Sequence, residues 1–165
     1  MYKKPITILG INPGTRYMAV AVFRNSELRE WSIKVFRGTW SKEKKQKVLA
    51  AMADLVSYYG VTVVAVKRLH PSRTSRHLDS LVVDMKVLAK QRHLKVYEYT
   101  IKQMQQSFSM NGRANKKKMA EQVVREYPVL FNEFEKEKYH KQPYYTRLFE
   151  AVALGSVCHN ALDRT

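Results

Sequence analysis

The stretch from Ile8 to Phe23, ILGINPGTRYMAVAVF, constrains the fold of this chain more than any other. Two runs of apolar, largely β-branched residues flank a Pro-Gly turn, which is the pattern of a β-hairpin. One polar side chain, Asn12, falls where the first strand ends. Residues 5–11 and 17–23 read as two strands. Leu28 to Phe36 reads as a third, with Trp31, Ile33 and Val35 on one face.

After the meander the period changes. From Lys42 to Tyr59 the apolar residues Val48, Met52, Leu55 and Val56 recur at helical spacing, opposite a face of Lys42, Lys44, Lys45 and Lys47. Ser41 supplies an N-cap and Gly60 ends the helix. Residues 61–66 are almost wholly apolar and read as a strand buried on both faces. A polar loop from His70 to Arg76 leads to a helix from His77 to Arg92, and Lys95 to Tyr99 alternates as a fifth strand. Helices follow at Ile101–Phe108, from Lys116 to Tyr127, and from Tyr144 to Leu162, with a turn-rich loop over 109–115. Residues 131–142 read as a loop or a short helix.

A hairpin meander followed by helical crossovers implies a mixed five-stranded sheet with helices on its faces. A chain of 165 residues without linker or repeat fits one domain, 1–165. No run of about 18 apolar residues exists, so no membrane helix is expected. The N-terminus leads straight into a strand without a signal-like apolar segment. A single cysteine, Cys158, excludes an internal disulfide and suits a reducing cytoplasm.

Thirty Lys and Arg stand against fourteen Asp and Glu, a formal charge of +16. Such a field favours polyanions, because phosphate binding releases counterions. Nucleic acid is the expected partner; a merely basic solvated surface is the alternative.

Several local motifs, in order, resemble the bacterial Holliday junction resolvases of the RuvC type, within the ribonuclease H-like superfamily. Ile11 to Thr15 resembles that family's strand-end motif, where an Asp precedes Pro-Gly; here Asn12 stands there. Val64 to Leu69 resembles its second motif, with Lys67 where a Glu belongs. Val96 to Thr100, Lys102 to Gln106, and Gly112 to Lys116 resemble the strand, helix and basic loop that follow. Phe149 to Gly155 resembles the last helix, whose two Asp positions fall on Arg147 and Glu150. The resemblance implies a ribonuclease H-like α/β fold, DNA, including four-way junctions, as partner, and a homodimer formed through the helix from His77 to Arg92, whose apolar stripe could equally pack on its own sheet.

It also implies a site that four carboxylates would build for two divalent metals. This chain offers Asn12, Lys67, Arg147 and Glu150. Lys67 and Arg147 are donors only and cannot ligate a cation. The expectation is a degenerate nuclease site with no metal and no cofactor, in which the Lys67 ammonium takes a cation's place, pairs with Glu150 and is joined by Asn12. At about 4 Å and an effective dielectric of about 20, such a pair attracts by about 4 kcal/mol before desolvation. The alternative leaves Lys67 and Arg147 pointing to solvent. An active Mg-dependent endonuclease with relocated ligands is the alternative, with Asp79, Asp84 and Glu98 as candidate ligands; ordinary surface charge is the other reading of these three. A structural partner or RNA-binding module is a third reading.

The expected nucleic-acid contacts are Arg68, His70, Arg73 and Arg76, and Arg113, Lys116, Lys117 and Lys118, two basic regions that the family's layout implies would flank the cleft. His70 falls where the family places an aromatic wedge, so it is a base-stacking candidate or an ordinary loop histidine.

Overall fold

The computed structural model describes residues 5–108, 115–139 and 144–164. Five strands form one sheet in the order β3-β2-β1-β4-β5. They are β1 (Thr7–Asn12), β2 (Tyr17–Arg24), β3 (Glu27–Val35), β4 (Val63–Arg68) and β5 (Lys95–Thr100). The first three pair antiparallel, as the tight turns between them require. β4 joins β1, and β5 joins β4, in parallel through helical crossovers. The mixed five-stranded sheet flanked by helices that the sequence implies is present.

Helices α1 (Lys42–Tyr59) and α2 (Arg76–Gln91) make the crossovers and cover one face. There Leu9, Ile11, Val20, Val64 and Val66 pack with Val48, Met52, Leu81 and Met85. The other face carries α6 (Thr146–Asp163) and, beside it, α3 (Ile101–Phe108), α4 (Lys116–Glu126) and α5 (Phe131–Glu137). Ile8, Ala19, Ala21, Val63 and Ala65 meet Ala151, Val152 and Leu154 on that side. The central strands are thus buried on both faces, which explains their nearly continuous apolar runs. Among the described residues no helix is long and apolar enough to cross a membrane.

Two glycines set how closely α6 lies on the sheet. A Cβ on Gly10 of β1 would stand 2.5 Å from the Ala151 carbonyl oxygen. A Cβ on Gly155 would stand 2.2 Å from the Phe23 ring. The backbone of α6 therefore rests directly on β1 and β2, which brings its first turn to the end of β1.

Several boundaries differ from the sequence reading. β4 starts at Val63 and runs through Lys67 and Arg68, which pair in register with Tyr99 and Thr100 of β5; ladder pairing overrides the polar composition. Arg76 opens α2, capped by Ser75, instead of closing a loop. Trp31, Ile33 and Val35 share one face of β3, opposite Ala21, Ala19 and Tyr17, but Val35 is 44% exposed because it ends an edge strand. Lys44 is not part of a solvated lysine face. It is buried, with Nζ 2.8 Å from the Gly38 carbonyl oxygen and 5.9 Å from the centre of the Trp40 ring. Its long stem lets a cation sit against apolar surface while its head meets a carbonyl. The final helix begins at Thr146, not Tyr144. The backbone N–H groups of Tyr144 and Tyr145 donate to the Glu137 carboxylate, the former at 2.8 Å. Arg113 and the loop over 109–114 lie outside the described residues.

Candidate functional site

Strand parity decides which side chains converge. Asn12 follows Ile8 and Gly10 on the α6 face of β1, and Lys67 follows Val63 and Ala65 on the same face of β4. The last β1–β4 pair is Ile11 with Val66, so Asn12 and Lys67 are neighbours one step further on. Glu150, in the first turns of α6, comes down over them and is only 2% exposed.

Lys67 and Asn12 both bond to Glu150. Lys67 Nζ lies 2.7 Å from Glu150 Oε2. Asn12 Nδ2 donates to the same oxygen at 2.7 Å and to the Arg147 carbonyl oxygen at 3.3 Å. Both partners of the amide are acceptors, so its NH2 group must face them. Lys116, from the start of α4, brings a second ammonium to 3.3 Å from Glu150 Oε1. That oxygen makes no aligned hydrogen bond among the described residues, so the Lys116 contact is an ion pair only. Removing a charge this deeply buried from its partner is costly, whereas a satisfied pair holds two elements together. The pairing expected from the sequence is present, and the solvent-facing alternative for Lys67 is not; its side chain is 14% exposed.

The donor set does not fit a pair of hard divalent cations. Such ions need several oxygen ligands each, and the convergence offers one carboxylate already engaged by two ammonium groups and an amide. Among the described residues no three His, Cys, Asp or Glu side chains come together as a metal centre. Asp79 bonds to Thr74 at 2.5 Å, and Asp84 pairs with Lys45. Glu98 is held by Lys86 and by Arg68, the latter at 2.9 Å. Burial pushes the Glu98 carboxyl up, but the hydrogen bonds and charges of Lys86 and Arg68 together outweigh it and hold it below the usual range.

Around the Glu150 cluster opens a cleft of about 930 Å3. Of the expected contacts, Arg68, His70, Arg73 and Lys116 border it, together with Asn12, Lys67, Arg147 and Glu150. Arg76, Lys117 and Lys118 are exposed but do not border it. The exposed His70 accepts from the Ser72 N–H through Nδ1 at 3.2 Å, capping the turn Pro71–Arg73. Arg147 reaches over the Tyr17 ring, its Cζ 4.8 Å from the centroid.

Sequence reasoning missed Thr15, Arg16, Tyr17 and Gln105, all of which border the cleft. The signal for the first three was available: they directly follow the Pro-Gly turn at the end of β1. Gln105 has no local signal, since α3 reaches the site only through the tertiary fold.

A family model described as crossover junction endodeoxyribonuclease RuvC matches residues 8–132. The structure of RuvC from Thermus thermophilus superposes with a TM-score of 0.76 at 18% identity, over 97% of this chain and 98% of that one. The same bacterium's RuvC in complex with Holliday junction substrate gives 0.74 at 17% identity, covering 96% of each chain. Fowlpox virus resolvase with Holliday junction DNA gives 0.60 at 14% identity, over 95% of this chain and 99% of that one. Comparison with curated proteins finds no significant match. The architecture is therefore the ribonuclease H-like fold that these structures share.

Proposed function

The chain belongs to the RuvC family of crossover junction endodeoxyribonucleases, and from that membership we propose that it binds branched DNA in its basic cleft without cutting it. The observation that carries this reading is the Lys67–Glu150 pair, which places an ammonium among the groups from β1, β4 and α6 that converge at the cleft floor. A fixed cation there repels Mg2+ and attracts phosphate. Lys67 and Lys116 offer phosphate oxygens charge-assisted donors, and Arg68, Arg73 and Arg147 extend the positive wall. Phosphate contacts position a duplex without reading its sequence, so selectivity comes from the shape of the branch.

A second copy of the chain fits this reading. Val83 and Val87 stand exposed one turn apart on the outer face of α2, 57% and 46% accessible. Packing two such faces about a twofold axis presents two clefts to a symmetric junction. Sedimentation of the protein alone at twice the monomer mass supports that arrangement; a monomer at all concentrations contradicts it.

The binding test compares a four-way junction, a matched linear duplex and an RNA duplex in EDTA across a salt series. The junction is expected to bind most tightly. The log–log salt dependence is expected to fall by about 0.9 per phosphate contact. Equal affinity for junction and duplex removes the branch selectivity. Preference for RNA favours an RNA-binding module.

A further inference from the structure

Arg16 and Tyr17 border two cavities. One is the cleft; the other, of about 630 Å3, is completed by Val35, Arg37, Gly38 and Tyr144. Its wall contains two aromatic rings and two exposed arginines, and among the described residues no carboxylate borders it. The rings of Tyr17 and Tyr144 meet edge to face, with centroids 5.6 Å apart at 87°. Tyr144 is fixed from behind, because its backbone N–H donates to Glu137 at 2.8 Å. Tyr17 also carries Arg147 at 4.8 Å and Arg16 at 5.4 Å from its ring centre. Both distances are in the range of a cation–π contact.

This composition suits one class of ligand. Duplex DNA presents phosphates but hides the faces of its bases, so an aromatic wall adds nothing to duplex binding. An unpaired nucleotide presents both a π-face and a phosphate. Stacking rings interleaved with cations are what single-strand sites use. We propose that this second cavity binds an unpaired nucleotide of a DNA strand whose paired portion lies in the cleft. The base rests against the Tyr17–Tyr144 wall, and Arg16 and Arg37 hold its phosphate. The proposal builds on the DNA-binding reading of the cleft and extends it to a distinct substrate feature, an unpaired arm or flap beside the branch.

The test uses the full chain and two junctions that differ only in a short unpaired arm, with 2-aminopurine as the unpaired base. The readout is the ratio of affinities for the two junctions, along with quenching of the probe. In the unaltered protein the unpaired arm is expected to raise affinity and quench the probe. Tyr17→Leu is expected to lower the ratio about tenfold, within the usual contribution of one stacked base. Tyr17→Phe is expected to preserve it, and Arg37→Gln to lower it a few-fold while paired-junction affinity stays unchanged. Using a ratio cancels any effect of Tyr17 on Arg147. If the paired junction binds but the unpaired arm adds no affinity, or the ratio is the same in Tyr17→Leu, the second site is overturned alone. If no DNA binds at all, the cleft reading falls and takes this site with it.

Discussion

Lys67 Nζ and Glu150 Oε2 lie 2.7 Å apart, joining β4 to α6 across the floor of the cleft. The carboxylate is 3% exposed and also receives Asn12 and Lys116, so the contact is a partly desolvated network and not a surface pair. The proposal that the protein binds without cutting rests on this pair.

Breaking the pair from one side is expected to destabilise the fold. Lys67→Met leaves a buried carboxylate held, among the described residues, by Lys116 and Asn12, and costs about 3 kcal/mol, the lower end of the usual loss for a broken buried pair. Urea unfolding measures it. Lys67→Met combined with Glu150→Leu is expected to recover most of the loss, because no charge is then stranded. Equal stability of Lys67→Met and the unaltered protein means that the pair holds nothing together.

Neutralising the carboxylate is expected to strengthen DNA binding. Glu150→Gln releases Lys67 and Lys116 to phosphates while lowering thermal stability. One or two added contacts steepen the log–log salt slope by about 0.9 each. A salt titration of junction affinity reads this directly, and an unchanged slope places neither lysine at a phosphate.

Restoring acidic residues is expected to create a cation requirement. In Asn12→Asp/Lys67→Glu, three carboxylates converge where one stands now, and the Lys116 ammonium alone does not balance three ionised carboxylates this close. Melting temperature in EDTA should fall below that of the unaltered protein and recover with Mg2+. At a hundredfold excess over the dissociation constant, recovery is about 2.7 kcal/mol. No Mg2+ response in the double variant rules out a convergence close enough to share a cation.

The Glu98 carboxyl sets a pH dependence. Its pKa in the folded protein lies below the unfolded value, because Lys86 and Arg68 outweigh burial. The protein therefore gains stability from Glu98 above the unfolded carboxylate pKa, and loses it as pH falls through the folded one. Unfolding of the unaltered protein and of Glu98→Gln, followed from neutral to acid pH, is expected to show a stability difference that shrinks on acidification. A difference constant with pH contradicts the ion pairs.

Much of this arrangement was legible in the chain. The Pro-Gly turn after Asn12 marked one strand end, whereas the apolar run before Lys67 stopped short of the end of β4, and the convergence of Asn12 with Lys67 followed from the family resemblance. The spacing of Arg147 and Glu150 put both near one side of the last helix. The direction of Lys44 was not legible, because the Gly38 carbonyl that draws it inward belongs to a preceding loop. Nor was the second cavity. Tyr17 read as one aromatic among ten tyrosines, and only the approach of Tyr144 and Arg147 from the far end of the chain makes it part of a wall.

The central claim is that the cleft holds a junction with an ammonium where cleavage would require a metal. Its most direct test is incubation of a labelled four-way junction with the protein in Mg2+ and in Mn2+, at concentrations that shift all of the DNA in EDTA. The expected result is a fully bound junction with every strand intact. Paired, symmetric nicks that depend on the metal would contradict it.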